Sequence, residues 1–118
     1  SGADRTNGNV CTPGTHVVMD GVLVTEHCIN SATPAPANGE WHTFEIEVMT
    51  NGEIVQKQNG MVAMTYADAQ LDPEGGMANS IPLVEAAGGV TALSGGYISL
   101  QSEGSPIEFR NIELLELD

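Results

Sequence analysis

The chain has 118 residues, enough for one domain with a modest core. Three basic residues against sixteen acidic ones leave a net charge of −13, which argues against nucleic acid and anionic membranes as partners. No apolar run approaches the length of a membrane-spanning helix.

Fourteen glycines and six prolines punctuate short apolar runs, and helix signals are few, so the pattern is all-β. With aromatics at only 4%, the core must rest on Val, Ile, Leu and Met. Residues 1–10 are polar and contain glycine; they read as a flexible or exchanging N-terminal arm of a single domain over residues 1–118. Val17-Val18-Met19 and Val22-Leu23-Val24 then flank Asp20-Gly21, a strong two-residue hairpin signal. Counting outward from that turn sets Cys11 near Asn30 and Cys28 near Pro13, so both cysteines reach the base of one hairpin. A disulfide there fits an oxidising compartment; two reduced, buried thiols are the alternative. Metal binding by this pair has no support, since Cys-x-x-Cys is absent.

Ser31 to Glu40, rich in Ala, Pro and Asn, reads as a crossing between parts of the sheet system. A meander follows. In Trp41 to Met49, alternation places His42, Phe44, Ile46 and Val48 on one face and Trp41, Thr43, Glu45 and Glu47 on the other. Asn51-Gly52 and Asn59-Gly60 are positive-φ hairpin turns, bounding strands from Glu53 to Gln58 and from Met61 to Tyr66. Asp68 to Gly96 holds turn signals at Asp72-Pro73 and Gly75-Gly76, with one helical turn over Pro82 to Ala87. The C-terminal stretch reads as a last hairpin: Tyr97 to Gln101, a turn over Glu103 to Pro106, then Ile107 to Arg110. Such pairing would gather Gln101, Glu108 and Arg110 on one polar face.

That face, with Trp41 and Glu45, has the residue types that bind sugars: an aromatic platform with amide, carboxylate and guanidinium groups for neighbouring hydroxyls. Two carboxylates there could also act as acid and base. The plainer alternative is that Glu108 and Arg110 are solvated strand residues and Trp41 packs under the Ser31 to Glu40 segment. His16 and His27, on opposite arms of the first hairpin, could lie diagonally across the ladder, but a third metal ligand is lacking. His42 reads as a packed core residue. Asp68, Asp72 and Glu74 could contribute to a calcium site without matching a defined loop; no other cofactor is indicated. Gly-x-Ser-x-Gly, P-loop and His-Glu-x-x-His motifs are absent, which leaves acyl and phosphoryl transfer unsupported.

The ending Leu100-Gln101, Glu103-Gly104, Glu108-Phe109-Arg110-Asn111-Ile112 resembles the C-terminal signature of the 3-keto-disaccharide hydrolase family, a former domain of unknown function (DUF1080). The segment from Cys11 to Ser31 and the run from Trp41 through Asn59-Gly60 to Asp72 fit the same family. The resemblance implies a concanavalin-like β-jelly roll, an antiparallel sandwich acting on or binding carbohydrate. Relative to the family the first strands are absent, as in a processed chain, in a fragment, or in a domain whose missing strand a neighbouring molecule supplies; in the last case a homo-oligomer or fibre could form through an open strand edge. The implied catalytic residues are Glu45, Glu108 and Arg110, and the implied substrate contacts are Trp41, Gln101 and Glu103. Glu45 or Glu108 would take the proton next to a 3-keto group, and Arg110 would steady the resulting charge. Three readings stand together: an enzyme cleaving 3-keto-glycosides, a non-catalytic sugar-binding module, and a structural subunit that self-assembles by strand exchange. The N-terminus carries no signal peptide, as in either a processed secreted chain or a cytosolic one, and the cysteines favour a secreted, periplasmic or extracellular location.

Overall fold

The structure, a computed structural model, describes residues 5–117, the Met77 side chain excepted. Nine strands follow in order: β1 (Thr6–Asn7), β2 (Val10–Cys11), β3 (Thr15–Met19), β4 (Val22–Val24), β5 (Cys28–Ile29), β6 (Thr33–Pro34), β7 (Phe44–Val48), β8 (Glu53–Gln58) and β9 (Met61–Leu71). A 3-10 turn at Gly76–Ala78 and the short helix α1 (Ile81–Ala86) complete the regular elements. All strand pairs are antiparallel, so the fold is all-β and consistent with a jelly-roll sandwich.

The first third is one long interrupted hairpin. β3 and β4 meet at Asp20-Gly21, whose φ values of 51° and 76° are those of a primed turn. Further out, β2 pairs with β5 and β1 with β6. Cys11 lies directly opposite Cys28, and the two form a disulfide with Cα atoms 4.1 Å apart. The register is shifted by two from a straight extrapolation of the turn. Its cause is a tight turn in one arm only, where the Thr15 amide bonds the Thr12 carbonyl around Pro13 and Gly14. Gly14 sits at φ 78°, which such a turn requires. Of the arm read as exchanging, residues 1–4 lie outside the described residues, and Thr6, Asn7 and Val10 pair within the chain.

The main sheet has the order β4-β3-β9-β8-β7. β8 and β9 join at Asn59-Gly60, both at positive φ as expected. The Asn51-Gly52 turn differs: only Gly52 has positive φ, and the Asn51 side chain instead accepts the Glu53 amide. β9 runs to Leu71, five residues past the predicted strand. A bulge hides that continuation, because Asp68 at φ 53° breaks the alternation between the pairs Val18–Ala67 and His16–Gln70.

The interior is small and largely polar. Val10, Val17, Ala63 and Met64 are its buried apolar side chains, beside buried Ser31, Thr33, Gln56 and Gln58. The β1–β6 ribbon docks on the sheet through the glutamines of β8. Gln56 donates to the Gly8 carbonyl at 2.8 Å and accepts the Tyr66 hydroxyl at 2.6 Å. Burial pushes the Tyr66 phenol above its ordinary pKa, keeping it a donor. Gln58 accepts from the Asn7 amide at 2.7 Å, and Thr33 donates to the Asn7 carbonyl at 2.8 Å. Among the described residues every buried side-chain polar atom has a partner.

The C-terminal hairpin is not formed. Residues 94–117 contain no strand, and Tyr97, Ile98, Leu100, Ile107 and Phe109 are exposed. Only the preceding stretch joins the sheet, where Ala92 bridges Gln70 and the Leu71 amide bonds the Thr91 carbonyl. Alternation predicts which residues would share a face, but a ladder also needs a neighbouring strand with free donors and acceptors. Here the local turn brings no such neighbour alongside.

Two stability effects follow from this arrangement. Replacing Cys11 and Cys28 together with Ala should cost about 3 kcal/mol in chemical denaturation, because the bridge closes a short loop in the unfolded chain. Gly8→Ala should cost about 1–3 kcal/mol in the same assay. Gly8 has φ 74°, and an added Cβ would come within 2.8 Å of the Phe44 ring, where the ribbon meets the sheet.

Candidate functional site

The loop that leads into β7 is pinned from two sides. At its start the Ala35 amide bonds the Arg5 carbonyl at 2.9 Å. At its end Asn59 accepts the Thr43 amide at 2.9 Å and donates to His42 Nδ1 at 3.3 Å. His42 Nε2 lies 3.4 Å from the Ala37 carbonyl. These two contacts together require the tautomer with the proton on Nε2. The β8–β9 turn thus anchors this loop as well as joining two strands.

Trp41 projects from the fixed end of the loop and is about half exposed. The Arg110 guanidinium lies over its indole, 3.9 Å from the ring centroid. Next to this pair opens a hollow of about 570 Å³ bordered by Asn38, Glu40, Trp41, His42, Ile107 and Glu108. A second hollow of about 550 Å³ shares the stretch Ala35 to Asn38 with the first and includes Arg5. Of the chain's three basic residues, Arg5 lines one hollow and Arg110 covers the Trp41 ring that borders the other. The third, Lys57, contacts Glu47 at 2.5 Å, and that carboxylate raises the lysine pKa.

Trp41, Glu108 and Arg110 thus come together, though not by the predicted hairpin. Glu45 does not join them. β7 begins only at Phe44, so Trp41 lies outside the strand, while Glu45 pairs with Lys57 within the sheet. Gln101 and Glu103 are exposed in the irregular segment and do not border the hollow. Sequence reasoning missed Glu40 and assigned His42 to a packed core. The signal for both is their position beside Trp41 at the end of a Pro-containing crossing, where a strand has not yet started.

The proposed metal ligands are dispersed. His16 lies 3.7 Å from Asp72, whereas His27 stands on the far arm with its carbonyl accepting the Thr12 amide. Asp72 Oδ1 accepts the Glu74 amide at 2.8 Å, and Asp68 instead lies against Gly52. Among the described residues no three His, Cys, Asp or Glu side chains are grouped as metal ligands.

A family model described as 3-keto-alpha-glucoside-1,2-lyase-like domain matches residues 1–115. The chain belongs to this family. No curated protein and no solved structure matches it. The hollow beside Trp41 presents an aromatic ring, an amide and two carboxylates, with the Arg110 guanidinium stacked on that ring.

Trp41 is the one tryptophan, so its emission reports on this hollow directly. Removing the guanidinium from the ring in Arg110→Ala should admit water and shift the emission to longer wavelength. Stability should fall by no more than about 1 kcal/mol, since the pair is exposed. An unchanged spectrum would mean that Arg110 does not cover Trp41 in solution.

Proposed function

We propose that the hollow beside Trp41 binds a carbohydrate and that Glu108 and Arg110 act on a sugar carrying a 3-keto group. The observation that carries this reading is that Trp41 and Glu108 border one hollow, with Arg110 lying over the Trp41 ring, in a member of a 3-keto-alpha-glucoside-1,2-lyase-like family. A ketone at carbon 3 acidifies the proton on carbon 2. Glu108 takes that proton, the electron pair forms a double bond between carbons 1 and 2, and the bond from carbon 1 to the glycosidic oxygen breaks. The leaving oxygen takes up a proton, and water then adds across the double bond to complete a hydrolysis. Arg110 stabilises the negative charge that develops on the ketone oxygen. Glu40, rather than Glu45, is the second carboxylate within the hollow and can supply the proton to the leaving group.

One feature favours a second reading, a binding module without turnover. Arg110 occupies one face of the Trp41 ring, so a sugar must either displace the guanidinium or stack on the opposite face. We further propose that the protein works in an oxidising compartment outside the cytosol, which the Cys11–Cys28 bridge supports.

Calorimetry with glucosides and their 3-keto derivatives, followed by product analysis, tests the proposal. Arg110→Ala should lose about 2–3 kcal/mol of binding. Glu108→Gln should keep binding and lose release of the aglycone. Binding without release in the unmodified chain selects the module reading, and full affinity in Arg110→Ala moves the site elsewhere.

A further inference from the structure

The surface of this chain is too large for its mass. Its accessible area is 8967 Å², whereas a compact chain of 12.3 kDa exposes about 6,100 Å². The radius of gyration, 15.4 Å, likewise exceeds the value of about 13.5 Å for this length. The excess of about 2,900 Å² matches or exceeds the share each partner buries in obligate homodimers. Much of it is apolar and falls in two places.

The first place is β7. It is an edge of the main sheet, and among the described residues nothing pairs with its outer side. Phe44, Ile46 and Val48 share the face on which the β1–β6 ribbon docks, yet the ribbon reaches only Phe44. Ile46 remains 60% exposed and Val48 62%. The opposite edge, β4, has only three residues and offers less to a partner. The second place is the C-terminal segment. Ile98 and Leu100 alternate with polar residues, as do Ile107 and Phe109, but no ladder forms. Leu114 and Leu115 are 82% and 80% exposed. One chain therefore carries a strand edge without a neighbour and alternating segments without a ladder.

We propose that a second copy of this chain covers the β7 face, its residues 112–117 adding to the sheet beside Phe44–Val48 while Arg110 stays on Trp41 of its own chain. Backbone pairing supplies the affinity of such strand addition, and the alternating apolar side chains set its register. Because each copy holds both parts, the exchange has the right stoichiometry without any other partner. It either closes as a pair or continues head to tail. The net charge of −13 on each copy opposes association, so salt strengthens it by screening.

Light scattering on the full chain across micromolar to millimolar concentration, at low and high salt, tests this. A mass of at least twice 12.3 kDa is expected, with tighter association at high salt. Ile46→Glu and Leu114→Glu, both at exposed positions of the single chain, should each weaken association on the order of 100-fold. Circular dichroism and the intact Cys11–Cys28 bridge check that each variant is folded. A single-chain mass at every concentration overturns the proposal, as does association that neither substitution weakens.

Discussion

The two glutamines of β8 hold this molecule together. Gln56 and Gln58 lie on the inner face of the main sheet, where an all-β chain of ordinary composition would place Val or Leu. Their amides bind the Gly8 and Asn7 part of the N-terminal ribbon, and that ribbon is the layer that packs on the sheet. Buried amides are costly unless each finds a partner, so the sequence must place Asn7, Gly8 and Tyr66 within reach together. Gly8 is needed as glycine because the Phe44 ring occupies the space of a side chain. The disulfide in the adjoining β2–β5 pair fixes the ribbon's other end. A polar interface of this kind is specific in register but contributes little apolar burial. A molecule built on it keeps much apolar surface in water.

That constraint reaches the hollow beside Trp41. The wall of both hollows, residues 35–38, continues directly from β6, the ribbon strand whose Pro34 carbonyl faces Gln58. At its other end the wall is tied to the Asn59 turn through His42 and Thr43. Trp41 is therefore held between the ribbon and the sheet rather than on either alone. Arg110 reaches it from the far end of the chain and is the contact that draws the C-terminal segment toward the loop. A change in how the last twenty residues lie would alter the geometry of Arg110 and Glu108 together. The sugar reading and the surface left open by the C-terminal segment are linked through this one arginine.

Charge works in the same direction. Lys57 is engaged by Glu47 on the outer face of the sheet, so Arg5 and Arg110 supply the positive groups near the hollows. Elsewhere the chain is strongly acidic. A neutral polyhydroxylated ligand approaches such a surface without electrostatic cost, whereas a polyanion meets repulsion from most directions.

The sequence by itself determined whatever depends on neighbours along the chain. Asp20-Gly21 and Asn59-Gly60 set their hairpins because only such residues take two successive positive-φ conformations cheaply. Alternation set the limits of β8 and the face that carries Phe44, Ile46 and Val48. Cys11 and Cys28 were close enough to the same turn that their bridge was legible even though the register was not. The register shift at Thr12 to Thr15, the bulge at Asp68 and the late start of β7 were decided by tertiary structure. Each depends on which backbone groups across the sheet are available. The C-terminal segment shows the limit most plainly. Its alternation described a strand, but alternation states only which side chains would share a face. Whether a strand exists depends on a partner for its backbone, and Tyr97 to Arg110 finds none among the described residues. The meeting of Trp41, Arg110 and Glu108 likewise came from folding, which set Arg110 on a ring 69 residues earlier in the chain and left Glu45 in the sheet.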